Sequence, residues 1–225
     1  MEQDKIWDYF QNEGIDSFDG SYSRLNFLIK QCNINIKVLN IGVGSGVLEK
    51  IALSKNIDIY TLDPSEKAII AMQEKIGNQK AKVGYSQEIP FDDEFFDVVI
   101  MSEVLEHLDD DILLATINDI HRVLKENGKF IGTVPYNENL KEQLVICPKC
   151  GEQFHRWGHI QSFEEERLGL LLKNKFTHVV MKQKLFINWK TLNIKGKIVS
   201  VLNYFAYMVK LKNSGLNLFF EVRKS

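Results

Sequence analysis

The sequence predicts an α/β fold built on a doubly wound parallel sheet, and three observations carry that prediction. Short apolar runs of strand length alternate with segments whose apolar residues recur at helical spacing. The run at 38–41 breaks into alternating glycines and then continues as a helix. The run at 95–102 is almost continuously apolar, as expected of a strand covered on both faces.

Ahead of the first strand, residues 3–13 hold Ile6, Trp7, Tyr9 and Phe10, and residues 21–31 hold Tyr22, Leu25, Phe27, Leu28 and Ile29. Two short helices are expected there, separated by Gly14 and a polar run. Residues 1–35 thus read as a helical cap on a main domain at 36–225. The cap either covers a sheet edge or closes over a ligand through Trp7, Tyr9 and Tyr22.

Residues 38–48 read Val-Leu-Asn-Ile-Gly-Val-Gly-Ser-Gly-Val-Leu: a strand, a tight turn and the start of a helix. Gly42, Gly44 and Gly46 leave no side chains over the turn, so a nucleotide-like ligand can lie against the backbone and the first N–H groups of the helix. The next apolar run, 57–62, ends at Asp63, where a carboxylate can accept both hydroxyls of a ribose. Pro64 and Ser65 open the following helix, whose inner face holds Ala68, Ile69, Met72 and Ile76. A short strand at 81–84 leads into a polar loop with Tyr85, Ser86, Gln87 and Glu88. Ser102 and Glu103 then stand where the strand at 95–102 ends, beside the ligand crevice expected at the carboxyl ends of such strands. Residues 111–125 form a helix with Ile112, Leu113, Ile117, Ile120 and Leu124 on one face, ended by Gly128 as a C-cap. The fifth strand, 129–134, is broken by Pro135, and Tyr136 emerges at the same crevice.

The dinucleotide fingerprint is G-x-G-x-x-G/A. Here Val47 holds its last position, and the third glycine comes one residue early. Together with Ile-Pro-Phe at 89–91, Phe-Asp-Val-Val at 96–99 and Glu-Val-Leu-Glu-His at 103–107, this pattern resembles the class I S-adenosylmethionine-dependent methyltransferase family over roughly residues 36–180. The resemblance implies a Rossmann-like sheet of seven strands with the last antiparallel, helices on both faces and S-adenosylmethionine as cofactor. It also implies that Ser86, Gln87 and Glu88 border the adenine and that Glu103 contacts the methionine part or the substrate. Asn40 stands where the family often has an acidic residue near the methionine amine, which implies an altered polar contact. Pro64, Ser65 and Ser102 complete the expected cofactor surroundings.

The segment 146–160 interrupts the pattern. Cys147-Pro-Lys-Cys150-Gly has the shape of a zinc knuckle, and His155 and His159 follow at spacings that could complete a structural Cys2His2 site. The bland alternative is a pair of free thiols in a loop. A second role competes for His159. The stretch 158–172 is similar to a histidine-bearing segment of small-molecule and sugar methyltransferases, where that histidine can face the transferable methyl. A neutral imidazole suits the general base for a hydroxyl or amine. His107 has a plainer reading, capping or packing beneath a loop. Ser162 and Glu165 have the spacing of a capping box for the next helix. Strands are expected at 176–187 and 216–222, and between them 194–212 is an apolar helix with Lys195, Lys197, Lys210 and Lys212 at its ends. It packs on the domain or on a second copy, or lies on an anionic membrane surface.

Composition narrows the remaining classes. With 28 basic and 30 acidic residues there is no basic footprint for nucleic acid. The polar start without an apolar h-region, the absence of an 18-residue apolar run and three cysteines in all point to a cytoplasmic protein. Two rivals stay open: an NAD(P)-dependent oxidoreductase, disfavoured by Val47, and a zinc-knuckle interaction module on the same fold. The expected acceptor is a small molecule or a sugar.

Overall fold

The computed structural model describes residues 21–189, 192–208 and 215–225. Trp7, Tyr9, Lys210 and Lys212, together with the first expected helix, lie outside them. Helix α1 (Tyr22–Ile29) precedes β1 (Lys37–Ile41), α2 (Val47–Ser54), β2 (Asp58–Asp63), α3 (Glu66–Ile76), β3 (Ala81–Val83) and β4 (Phe96–Ser102). Then come α4 (Asp110–Val123), β5 (Leu124–Pro135), a hairpin of β6 (Leu144–Ile146) and β7 (Gln153–His155), α5 (Glu165–Lys173), β8 (Thr177–Lys184), α6 (Ile194–Met208) and β9 (Asn217–Arg223).

Seven strands form one sheet in the order β3-β2-β1-β4-β5-β9-β8. The first five pair in parallel, and β9 runs antiparallel between β5 and β8. Strand order therefore reverses between β1 and β4, the place where doubly wound sheets leave a crevice at the carboxyl ends of their strands. The period-two alternation of the strands splits the core. Val99, Phe130 and Phe220 pack with Ile117, Ile120 and Leu172 on one face, while their neighbours Val98, Ile131 and Phe219 pack with Leu28, Leu48 and Ile51 on the other. Each face is thus covered by helices, as the apolar run at 95–102 requires.

The expected start holds at α3, where Ser65 is the N-cap and its hydroxyl accepts the Ala68 N–H; α4 is capped by Asp109, whose carboxylate accepts the Ile112 N–H. Two local signals differ from expectation. Helix α4 ends at Val123, Leu124 is already extended, and the left-handed turn into β5 is made by Asn127 with φ 61°, so Gly128 is not a C-cap. The capping box of Ser162 and Glu165 does not form, because α5 begins at Glu165 and its N-cap is Glu164. No helix among the described residues is long and apolar enough to cross a membrane.

Candidate active site at the strand ends

The glycine turn leaves β1 with Gly42, Gly44 and Gly46 all at positive φ, and Gly46 is the left-handed N-cap of α2. A Cβ on Gly42 would stand 2.9 Å from Val104 Cγ2, so the turn lies directly against the segment that follows β4. Asp63, at the end of β2, fastens this turn: its Oδ2 accepts the Val43 N–H at 2.7 Å and its Oδ1 accepts the Ser65 N–H at 2.9 Å. The one carboxylate thus ties both loops together.

Asn40, expected to make an altered polar contact near the methionine amine, stands near the end of β1 under the glycine turn. Its amide donates to the Gly42 carbonyl at 3.1 Å and to Glu49 Oε1 at 2.7 Å, beneath the turn. Glu49 is buried, also accepts the Thr61 hydroxyl at 2.8 Å, and its other oxygen has no partner. Burial raises its pKa, against the pull of those hydrogen bonds. An acidic group is thus present near the turn, on α2 rather than β1. Ser86 also turns inward: it is buried and its hydroxyl pairs with Thr116 at 2.8 Å. Its side chain thus points to α4, while Tyr85, Gln87 and Glu88 of that loop are not buried.

Across the crevice, Glu103 has φ 58°, a left-handed conformation that costs a residue with a Cβ about 1–2 kcal/mol. Such strain collects at functional sites. Its Oε2 accepts Asn217 Nδ2 at 2.9 Å and lies 3.9 Å from the Arg24 guanidinium, while Oε1 is buried without a partner. Arg24 also donates to the Ser102 hydroxyl at 3.0 Å, and Ser102 pairs with Thr133 at 2.9 Å. Ser102 is thus held in a network that Arg24 of α1 extends to Glu103.

The knuckle tetrad does not assemble. The turn Cys147-Pro-Lys-Cys150 closes through Gly151 N–H to the Cys147 carbonyl, but neither thiol joins His155 or His159 in a ligand group. The hairpin buries His155 at the end of β7, His159 follows beyond it, and the cysteines stay in the connecting loop. His159 Nδ1 meets Glu138 Oε2 at 2.5 Å, and its ring lies 4.6 Å from both His107 and His155. His107 is tied to the Gly158 carbonyl through Nδ1 at 3.0 Å. Burial, then His159, lowers its pKa to about 3. Burial also lowers the pKa of His155. Glu106 is fully buried, and burial, then the Glu103 charge, pushes its pKa well up. A cavity of about 530 Å³ bordered by Tyr60, Gly77, Lys80, Phe91 and Phe95 opens near the amino ends of β3 and β4, away from this crevice.

The sheet order and the glycine turn at the switch point narrow the family to nucleotide-binding α/β proteins, and residues 39–132 match the methyltransferase domain family. Residues 39–132 carry a methyltransferase domain. It is 31% identical over 119 residues to YrhH of Bacillus subtilis, covering 50% of this chain and 64% of that protein. It is 27% identical over 186 residues to the ubiquinone biosynthesis O-methyltransferase of Pelagibacter ubique, covering 78% and 75%. The 1,6-didemethyltoxoflavin-N1-methyltransferase of Burkholderia thailandensis superposes with a TM-score of 0.67 at 15% identity, covering 99% of this chain and 86% of that one. The PH0226 protein of Pyrococcus horikoshii gives 0.64 at 16%, covering 100% and 99%. At such identities the structural likeness establishes the fold. The chain spans 64% of the length of YrhH and 63% of a second methyltransferase relative, from Anoxybacillus flavithermus.

Proposed function

We propose that this chain moves a methyl group from S-adenosylmethionine to a hydroxyl or amine of a small-molecule or glycan-type acceptor. The observation that carries the reading is the glycine turn bound to Asp63 and packed against Val104, which forms a side-chain-free cradle at the switch point of a methyltransferase domain. The cofactor supplies an already electrophilic methyl carbon. The protein's share is alignment and removal of one proton.

In this reading Gly42, Gly44 and Gly46 admit the cofactor to the backbone, Asp63 accepts the ribose hydroxyls, and Gln87 and Glu88 border the adenine. Glu103, and His159 oriented by Glu138, are the two proton acceptors at that end of the sheet. The relatives named above include one O- and one N-methyltransferase, which supports leaving both nucleophiles open. Zinc on the cysteine pair has no part in the reading, since the tetrad is not assembled.

Helix α6 adds a location. Ile194, Leu202 and Phe205 are 78%, 62% and 64% exposed, beside exposed Lys195 and Lys197. That combination supports a cytoplasmic enzyme touching an anionic membrane surface, with a second copy of the chain as the competing occupant. The test of the central reading is calorimetric titration with S-adenosylhomocysteine, followed by transfer of radiolabelled methyl to panels of hydroxyl and amine acceptors. Absence of any S-adenosylhomocysteine affinity would overturn it.

A further inference from the structure

Glu106 is fully buried and neither of its carboxylate oxygens has a hydrogen-bond partner, a costly arrangement unless something else binds there. Two imidazoles face it. His107 Nδ1 lies on the Gly158 carbonyl, which can only accept, so that nitrogen holds the proton and the basic Nε2 faces Glu106 Oε1 at 3.9 Å. His159 Nδ1 lies on the Glu138 carboxylate, and its Nε2 faces the same Glu106 oxygen at 4.0 Å. Two basic nitrogens and one carboxylate thus converge, all within 4.8 Å of one another.

We propose that Glu106, His107 and His159 form a binding site for one divalent transition-metal ion, with Glu138 orienting His159 from behind. An ion bound at about 2.0–2.2 Å spreads tetrahedral ligands about 3.4 Å apart, so each imidazole needs to close on the carboxylate by about 0.5 Å, and the two imidazole nitrogens, within 4.8 Å of each other, by at most about 1.4 Å. Both histidines already have the acceptor on the far nitrogen that metal-bound imidazoles characteristically have. His155 does not compete as a ligand. Its Nδ1 accepts the Trp157 and His159 N–H groups, which leaves the proton on Nε2, directed at Glu138 Oε1 at 3.7 Å. The two-imidazole, one-carboxylate set suits zinc, iron(II), manganese or cobalt rather than calcium. Three protein ligands leave a position open, unlike a closed structural site.

The metal site stands independently of methyl transfer. If the proposed function also holds, ligation occupies His159 Nε2 and leaves Glu103 as the proton acceptor.

The test uses the full chain stripped with a chelator and titrated with Co²⁺ by absorption spectroscopy. One ion per chain is expected, with visible d–d bands and without the strong near-ultraviolet band of a cobalt–thiolate bond. Glu106→Gln should weaken binding by more than about 100-fold and Glu138→Gln by about 10–100-fold, the range for outer-shell partners. The double variant Cys147→Ser, Cys150→Ser should bind as tightly as wild type. S-adenosylhomocysteine affinity and circular dichroism report whether each variant is folded and read the proposed function separately. Failure of the wild type to bind Co²⁺, a thiolate band, or unchanged affinity in Glu106→Gln would each overturn the site.

Discussion

Asp63 Oδ2 accepts the N–H of Val43 at 2.7 Å, joining the end of β2 to the middle of the glycine turn. The same carboxylate holds Ser65 at the start of α3, so one buried anion fixes both loops against which a nucleotide would rest. Asp63→Asn puts an amide where one of two N–H donors needs an acceptor. Hydrogen bonds to charged groups are worth about 1.5–3 kcal/mol, so urea denaturation should show a loss of that order. S-adenosylhomocysteine affinity should fall by at least about tenfold, equal to about 1.4 kcal/mol. An affinity equal to wild type in a folded variant would remove Asp63 from the cofactor site.

Gly42 has φ +92°, and its absent side chain is what lets Val104 approach. Gly42→Ala meets both problems, a left-handed backbone costing about 1–2 kcal/mol and a Cβ 2.9 Å from Val104 Cγ2. The expected result is that much destabilisation together with loss of S-adenosylhomocysteine binding. Adding Val104→Ala removes the contact but not the backbone strain, so the double variant should remain less stable than Val104→Ala alone. Equal stability of those two would show that the strain has no part.

Helix α6 presents Leu202 and Phe205 to solvent although both are large and apolar. It is tied to the sheet by the Tyr207 hydroxyl, which donates to the Gln183 carbonyl at 2.9 Å, so changes on its outer face need not disturb the domain. Co-sedimentation with vesicles containing an anionic lipid should retain the wild type. The double variant Leu202→Ser, Phe205→Ser should be released with its melting temperature nearly unchanged. Sedimentation velocity decides against the membrane reading if the wild type is a dimer without vesicles and the variant a monomer.

The fold was legible because its signals are local or periodic. The glycine turn, the two-sided apolar run of β4 and the helix start at Ser65 each follow from a few adjacent residues. The site was legible only where it lies on those elements, as with Gly42, Asp63 and Glu103. Arg24, Glu49, Glu138 and Asn217 were missed because their roles depend on pairings between segments up to 114 residues apart, as for Asn217 and Glu103. Glu106 lay inside the Glu-Val-Leu-Glu-His segment, but nothing in that short segment distinguishes a buried glutamate from an exposed one. The Cys-x-x-Cys spacing misled for a related reason. Spacing fixes which ligands can share a turn, whereas the β6–β7 pairing places His155 and the Glu138 contact holds His159.

Glu49 makes stability depend on pH in a direction opposite to that of an ion-paired carboxylate. Its pKa is raised in the folded protein, chiefly by burial, so the native state holds this proton more tightly than the unfolded chain does. The contribution is therefore fully present below the unfolded value of about 4.3 and is lost as pH rises from there through the raised folded value. Glu49→Gln keeps an oxygen for Asn40 and Thr61 but cannot ionise. Relative to wild type, the variant should thus gain stability as pH rises from about 4 to about 7. Other titrating groups are common to both proteins and cancel in the difference. Urea denaturation of the two at both pH values measures it. A constant difference would mean that Glu49 titrates in the folded protein as it does in the unfolded one, and that the Asn40 and Thr61 hydrogen bonds fully offset its burial.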